Sequence, residues 1–423
     1  MTVTAFRTTA TSPKAWLLVA MFLVLVVTNA GFDRPPVDDA LSYRAIAAAA
    51  PGVPAEPVGS AYTGRFAIHY LVGLFSHLTS FSLSTSYDIV WVVLVAALLA
   101  ALHANLRTLP TPAYAMCAAL FIFDPYALRS YLLETSMLQD LVFLIGLALC
   151  LLALRRPSVR LLLIGSTIAI LGRQTAITLA PVAAAWVLLD PAWRGSIRRP
   201  VAWCAAGATC VLTFGIFAAT KAFTAGFSKY YEPSILHDSV MNTLVQLPDS
   251  ATSLAAHLAR TDIPLLIPLT VIAALVWKAG WRTVPFAFWG SLVLALAIAA
   301  QPALIDPDWV GFHSNEQRLS ALALLPLVCA AAEVLARFAP TALGWPRAAL
   351  AVGLLAVASL HHEFSSFGPR SLLQFLTEEV VIAGCLAVLI LTNTWTHLPV
   401  VSPSGPATDP SSTDNDALSR QDL

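Results

Sequence analysis

The run Phe66-Ala-Ile-His-Tyr-Leu-Val-Gly-Leu-Phe-Ser-His-Leu-Thr-Ser-Phe81 decides how the rest of the chain is threaded. It is apolar, yet short for a bilayer crossing, which takes about 20 residues, and it carries His69 and His77. If it crosses, every later loop changes side. The surrounding chain is 58% hydrophobic and only 11% charged, against roughly 25% charged in a soluble domain. The expected class is therefore an all-α polytopic membrane protein. Apolar runs broken by charges and prolines predict spans near 15–31, 86–106, 111–124, 136–154, 160–172, 174–189, 200–222, 262–279, 284–301, 318–336, 346–361 and 372–395.

Basic residues choose between the two threadings, because cytoplasmic loops carry an excess of Lys and Arg. Arg7 and Lys14 put the N-terminus in the cytoplasm. With 66–81 held on the outer face, the clusters Arg155/Arg156/Arg160, Arg194/Arg198/Arg199, Lys278/Arg282 and Arg337/Arg347 all face the cytoplasm too. With 66–81 crossing, all four face outward. The first arrangement is preferred: about twelve spans (range 11–13), both termini inside, and 66–81 a juxtamembrane helix. The run 15–28 is read as an uncleaved first span rather than a signal peptide.

This threading divides the chain into a cytoplasmic N-terminus (1–14), a membrane module of seven spans (15–222) with a first outer loop (31–85), and an outer loop (223–261). A second, variable module of five spans (262–395) and a disordered cytoplasmic tail (396–423) follow. The net charge of zero gives no sign of a nucleic-acid partner. All six cysteines lie in apolar runs, which argues against a disulfide framework or a CxxC site.

The short cytoplasmic loops are basic, and the acids gather on the other side. The first outer loop reads Asp33-Arg-Pro-Pro-Val-Asp38-Asp39-Ala-Leu-Ser-Tyr43-Arg44, leading into a helical stretch from Asp38 to Ala50. Further along come Asp124-Pro125-Tyr126, then Glu134 and Asp140 at the start of the fourth span. Arg173 stands at the turn between spans five and six, and Glu316 and Arg318 open the tenth span.

This arrangement resembles the GT-C class of membrane glycosyltransferases, which includes protein O-mannosyltransferases and lipid A aminoarabinose transferases. In that class a catalytic Asp lies in the first outer loop, often followed by Glu and then Tyr. Asp39 and Tyr43 fit the pattern, while Ala40 stands where the Glu would be. The resemblance spans about residues 15–222 plus the Arg318 region and implies a GT-C-like module over spans one to seven. It also implies a polyprenyl-phosphate sugar donor and a glycan, lipid or protein acceptor in the cell envelope. On this reading Asp39 is the base, with Asp38 and then Asp33 as alternates. Asp140, Arg173, Arg318, Tyr43, Glu134 and Glu316 contact substrate or its phosphate.

Physical chemistry is compatible with those roles. Transfer to a hydroxyl needs a positioned base, and Arg offers a permanently charged fork to a departing phosphate. With arginines in that task no cofactor is called for and a divalent metal is not required. The plainer readings are that Asp38 and Asp39 cap a helix, that Asp140 pairs with Arg129 or caps its span, and that Arg173 and Arg318 snorkel to the interface. His361-His362-Glu363 lacks metal-ligand spacing, and Tyr230 and Tyr231 suit an aromatic belt. Two competing functions remain: an O-antigen-type polysaccharide polymerase or ligase, and a transporter or lipid flippase. The Ala- and Leu-rich composition suits a bacterial plasma membrane.

Overall fold

The computed structural model describes residues 12–29, 38–124, 135–229, 262–305, 319–342, 344–360 and 372–392. In these stretches the chain is all-α. The helices are α1 (Pro13–Asn29), α2 (Asp38–Ala49), α3 (Phe66–Thr79), α4 (Leu83–Leu106), α5 (Thr111–Ile122), α6 (Leu138–Arg155), α7 (Val159–Gly172) and α8 (Ala176–Leu189). After them come the short α9 (Pro191–Ser196), then α10 (Arg199–Thr224), α11 (Leu266–Ala279), α12 (Phe286–Ile305), α13 (Leu324–Ala342), α14 (Trp345–Leu360) and α15 (Leu372–Leu391). Among the described residues the only strand pairing is a two-residue parallel bridge, β1 (Val58–Gly59) beside β2 (Ser228–Lys229).

Local chemistry sets the helix ends. Ser82 caps α4 by accepting the Thr85 amide at 3.1 Å, and Asp190 caps α9 by accepting the Ala192 amide at 2.9 Å, each satisfying a donor with no intrahelical partner. Gly280, at φ +83, ends α11 in a backbone region that side chains resist.

α6 is almost wholly buried and forms the axis of the bundle. It packs most closely on α7 through small residues: a Cβ at Gly146 would fall 2.3 Å from the Ala169 nitrogen and 2.6 Å from the Gly165 carbonyl oxygen. That lets the two backbones touch, the packing favoured where lipid supplies no hydrophobic drive. α10, by contrast, turns most of its surface outward.

Among the described residues three helices, α4, α6 and α10, are long and apolar enough to cross a membrane, and most of the others are shorter apolar helices. The outer surface of the bundle is apolar too, with Trp277 83%, Val211 74% and Val27 72% exposed. A water-soluble monomer rarely displays a continuous surface of this kind.

Cross-links fix which helix ends lie together. At one end, Lys14 Nζ donates to the carbonyls of Arg107 (3.0 Å) and Leu109 (2.5 Å). Arg155 pairs with Glu333 at this end, Trp193 Nε1 donates to the Leu154 carbonyl at 2.9 Å, and Lys278 Nζ donates to the Leu391 carbonyl at 2.9 Å. At the opposite end, Arg173 pairs with Asp140, Ser320 donates to Asp262 at 2.6 Å, and Val58 N donates to the Phe227 carbonyl at 3.0 Å.

α1 therefore begins where α4 ends. The two helices run in opposite senses, and α3 between them makes no traverse of the bundle. α3 instead lies against α2 at the Asp140 end, so closely that a Cβ at Gly73 would meet the Ala47 carbonyl oxygen at 2.0 Å.

Candidate functional site

The Asp140 end holds a buried polar cluster assembled from five helices. Asp140 sits in the first turn of α6 and Arg173 directly follows α7, so the antiparallel packing of the two helices brings their ends level. The two side chains form an ion pair with 0% and 1% of their surface exposed. A charge so deeply buried is tolerated only when paired.

His69, from α3, is also fully buried. Its ring stacks on Tyr43 of α2 with centroids 4.1 Å apart and planes 11° from parallel. Tyr87 of α4 donates its single hydroxyl proton to the Tyr43 carbonyl at 3.2 Å. His69 Nδ1 lies 3.1 Å from the same oxygen, a hydrogen bond whose donor is set by the ring's tautomer. Burial, the largest influence, holds the imidazole far below its ordinary range, to about 3. The Arg65 charge pushes the same way, against Gln139 and Asp140. His69 is accordingly neutral at physiological pH.

His69 Nε2 and its neighbour Gln139 Oε1 make no hydrogen bond of good geometry, although Gln139 is close enough to favour the protonated ring. The amide of Gln174, packed against Gly64, has a buried nitrogen with no acceptor. Unsatisfied buried polar atoms are rare enough that their gathering beside a buried ion pair points to a site.

Two arginines flank the cluster. Arg65 Nη1 donates to the Tyr43 hydroxyl at 2.9 Å, and the Arg44 guanidinium lies 5.6 Å from the Tyr87 ring centroid. Both are half-buried, so they extend from the cluster toward the surface.

The sequence-predicted residues fall into three groups. Tyr43, Asp140 and Arg173 come together, joined through His69 and Gln139. Asp38 and Asp39 open α2, Asp39 one turn before Tyr43, and their side chains lie outside what is described. Asp33, Glu134, Glu316 and Arg318 lie outside the described residues altogether, as do Tyr230, Tyr231, His361, His362 and the 396–423 tail.

Arg173 is also more deeply placed than an interfacial arginine, and it pairs with Asp140; Arg129 lies outside the described residues. Ala40 is fully buried, so a Glu there would bury another carboxylate. Sequence reasoning passed over Arg44, Arg65, Tyr87, Gln139 and Gln174, and read His69 as an interfacial residue. The available signal was position: each lies within a few residues of an end that the topology already placed on one side. No family model matches the chain, nor does any curated protein or solved structure.

Proposed function

We propose that the chain is a multi-pass membrane glycosyltransferase of the GT-C kind. It would move a sugar from a polyprenyl-phosphate donor to a cell-envelope glycan, lipid or protein on the outer face of the plasma membrane. Twelve helices cross on this reading: α1, α4 to α8, and α10 to α15. The absence of a traverse by α3 supports that count, because it leaves the basic clusters of Arg155, Arg194, Lys278 and Arg337 at one end, which is cytoplasmic by the positive-inside rule. The Asp140 end is then the outer one.

The observation that carries the functional reading is the docking of α2. The helix that opens with Asp38 and Asp39 inserts Tyr43 into the cluster of His69, Tyr87 and Arg65, next to Gln139 and Asp140. A candidate base, two half-buried arginines and buried polar atoms without a well-formed hydrogen bond thus share one end of the bundle. In the reaction, Asp39 takes the acceptor hydroxyl proton as the acceptor oxygen bonds to the anomeric carbon. The bond from that carbon to the phosphate oxygen breaks, and the phosphate leaves with the electron pair. Arg65 and Arg44 meet its charge, a task for which they are better exposed than Arg173. Asp140 and Arg173 hold α6 and α7 in register beneath them.

A transporter is the second reading, favoured by ionisable groups inside the bundle: the Asp140–Arg173 pair and Glu379, buried in α15. The deciding experiment supplies labelled polyprenyl-phosphate sugars and candidate acceptors to the full-length protein in proteoliposomes. Label should move to the acceptor, and Asp39→Asn should abolish transfer while donor binding persists. Full transfer by Asp39→Asn removes that residue from the scheme. Passage of intact donor across the bilayer without transfer establishes the transporter instead.

A further inference from the structure

At the Arg155 end, far from the cluster, α8, α9 and α10 enclose a cavity of 610 Å³, within the roughly 300–1,000 Å³ of small-molecule sites. Its wall is apolar, formed among others by Leu188, Ile197, Ala202 and Trp203, and Arg194 and Arg199 stand beside it. Ala202 is buried at the floor, whereas Trp203 is 57% exposed at the rim.

The basic side is built rather than incidental. Trp193, fully buried, ties α9 to the bundle through its bond to the Leu154 carbonyl. Arg194 Nε donates to the Leu188 carbonyl at 3.0 Å, which fixes the guanidinium over the cavity wall and leaves its amino groups for a further acceptor. Asp190, the acid nearest Arg194 in sequence, is turned inward and accepts Trp186 Nε1 and the Ala192 amide, both at 2.9 Å. The two arginines therefore add their charge to an apolar cavity that opens on the lipid-facing side of α10.

We propose that this cavity is a binding site for one anionic phospholipid of the cytoplasmic leaflet. An acyl chain lies along Leu188, Ala202 and Trp203, and the phosphodiester sits on Arg194 and Arg199. Charge complementarity selects the headgroup, because basic pockets between helices at a cytoplasmic interface recognise anionic lipid. The neighbouring Trp203 suits the interfacial depth that this places it at. The inference rests on the membrane reading but not on the transferase reading.

The test uses the full-length protein, delipidated in detergent and titrated with dioleoyl phosphatidylglycerol or dioleoyl phosphatidylcholine under native mass spectrometry. Phosphatidylglycerol should bind roughly tenfold more tightly, and the preference should shrink as ionic strength rises. The double variant Arg194→Gln/Arg199→Gln should bring the two lipids within twofold and leave phosphatidylcholine binding unchanged. Ala202→Trp, which fills the floor and keeps both arginines, should weaken binding of both lipids. Equal binding of the two lipids by the unaltered protein overturns the proposal. So does a headgroup preference that survives the double variant, or displacement of phosphatidylglycerol by inorganic phosphate at matched ionic strength.

Discussion

Both ends of the bundle hold an arginine paired with a carboxylate, and the two pairs are built for different purposes. At one end Arg155 of α6 pairs with Glu333 of α13, and its Nη1 also reaches the Asn105 carbonyl at 3.0 Å and Oδ1 at 3.4 Å. Asn105 in turn donates to the carbonyls of Ala101 and Ala148, both at 2.9 Å. None of these side chains has a buried polar atom left without a partner, and three helices are locked together. At the other end the Asp140–Arg173 pair is deeper, but its neighbours His69, Gln139 and Gln174 each keep a polar atom without a partner. A closed network is a clamp. An open one, next to a helix that begins with two acids, has the makings of a site.

The largest expected difference between the ends comes from stranding a charge. Asp140→Ala takes from Arg173 its fully buried carboxylate and should cost about 3–5 kcal/mol. Glu333→Ala leaves Arg155 its Asn105 contacts and some solvent, and should cost less, about 1–2 kcal/mol. Thermal unfolding in detergent compares them; equal losses would erase the distinction between buried pair and clamp.

Next in size is a matched pair of amide replacements. Asn105→Leu removes three or more satisfied bonds and should destabilise by about 2–3 kcal/mol, whereas Gln139→Leu, which removes an unsatisfied amide, should be nearly neutral. If Gln139→Leu proves as damaging as Asn105→Leu, the network at the Asp140 end is closed and not open.

A pH effect comes third. With its folded pKa near 3, below the ordinary 6.5, His69 contributes stability in full above pH 6.5 and loses it as the pH falls toward 3. One pH unit below 6.5 should cost about 1.4 kcal/mol. His69→Phe keeps a ring on Tyr43 and takes up no proton, so its unfolding midpoint should fall less than that of the unaltered protein between pH 7.5 and 5.5. Identical slopes would show that His69 has access to water.

The smallest effect belongs to Lys14→Gln, which gives up two bonds to carbonyls at the end of α4 and should cost about 1 kcal/mol. A neutral result would mean that the end of α4 finds solvent in place of the lysine.

The helices were legible because charges and prolines interrupt apolar runs. The spans expected at 160–172 and 174–189 are helices Val159–Gly172 and Ala176–Leu189, and the stretch from Asp38 is helical to Ala49. Sidedness was legible as well, since Asp140 and Arg173 were placed at the same end before their pairing was seen.

What the sequence could not supply is which polar residue of a helix faces inward. α3 carries two histidines on one apolar run; His69 is buried and His77 exposed, and only the position of α2 and α4 separates them. Arg44 and Arg65 were hidden for a similar reason: a lone arginine near a loop looks the same whether it meets water or a buried tyrosine. The pairing of Asp140 with Arg173 depends on the close approach at Gly146 and Gly165, a contact between helices rather than a motif.

The central claim is that the open polar end faces outward and the clamped end faces the cytoplasm. Its most direct test is labelling of single cysteines, in a protein lacking its native ones, with a membrane-impermeant maleimide on intact spheroplasts. Ala55→Cys, exposed in the first loop, should label from outside, and Ser196→Cys, exposed at the end of α9, should label only after permeabilisation. Labelling in the reverse order would put the polar cluster in the cytoplasm and contradict the account.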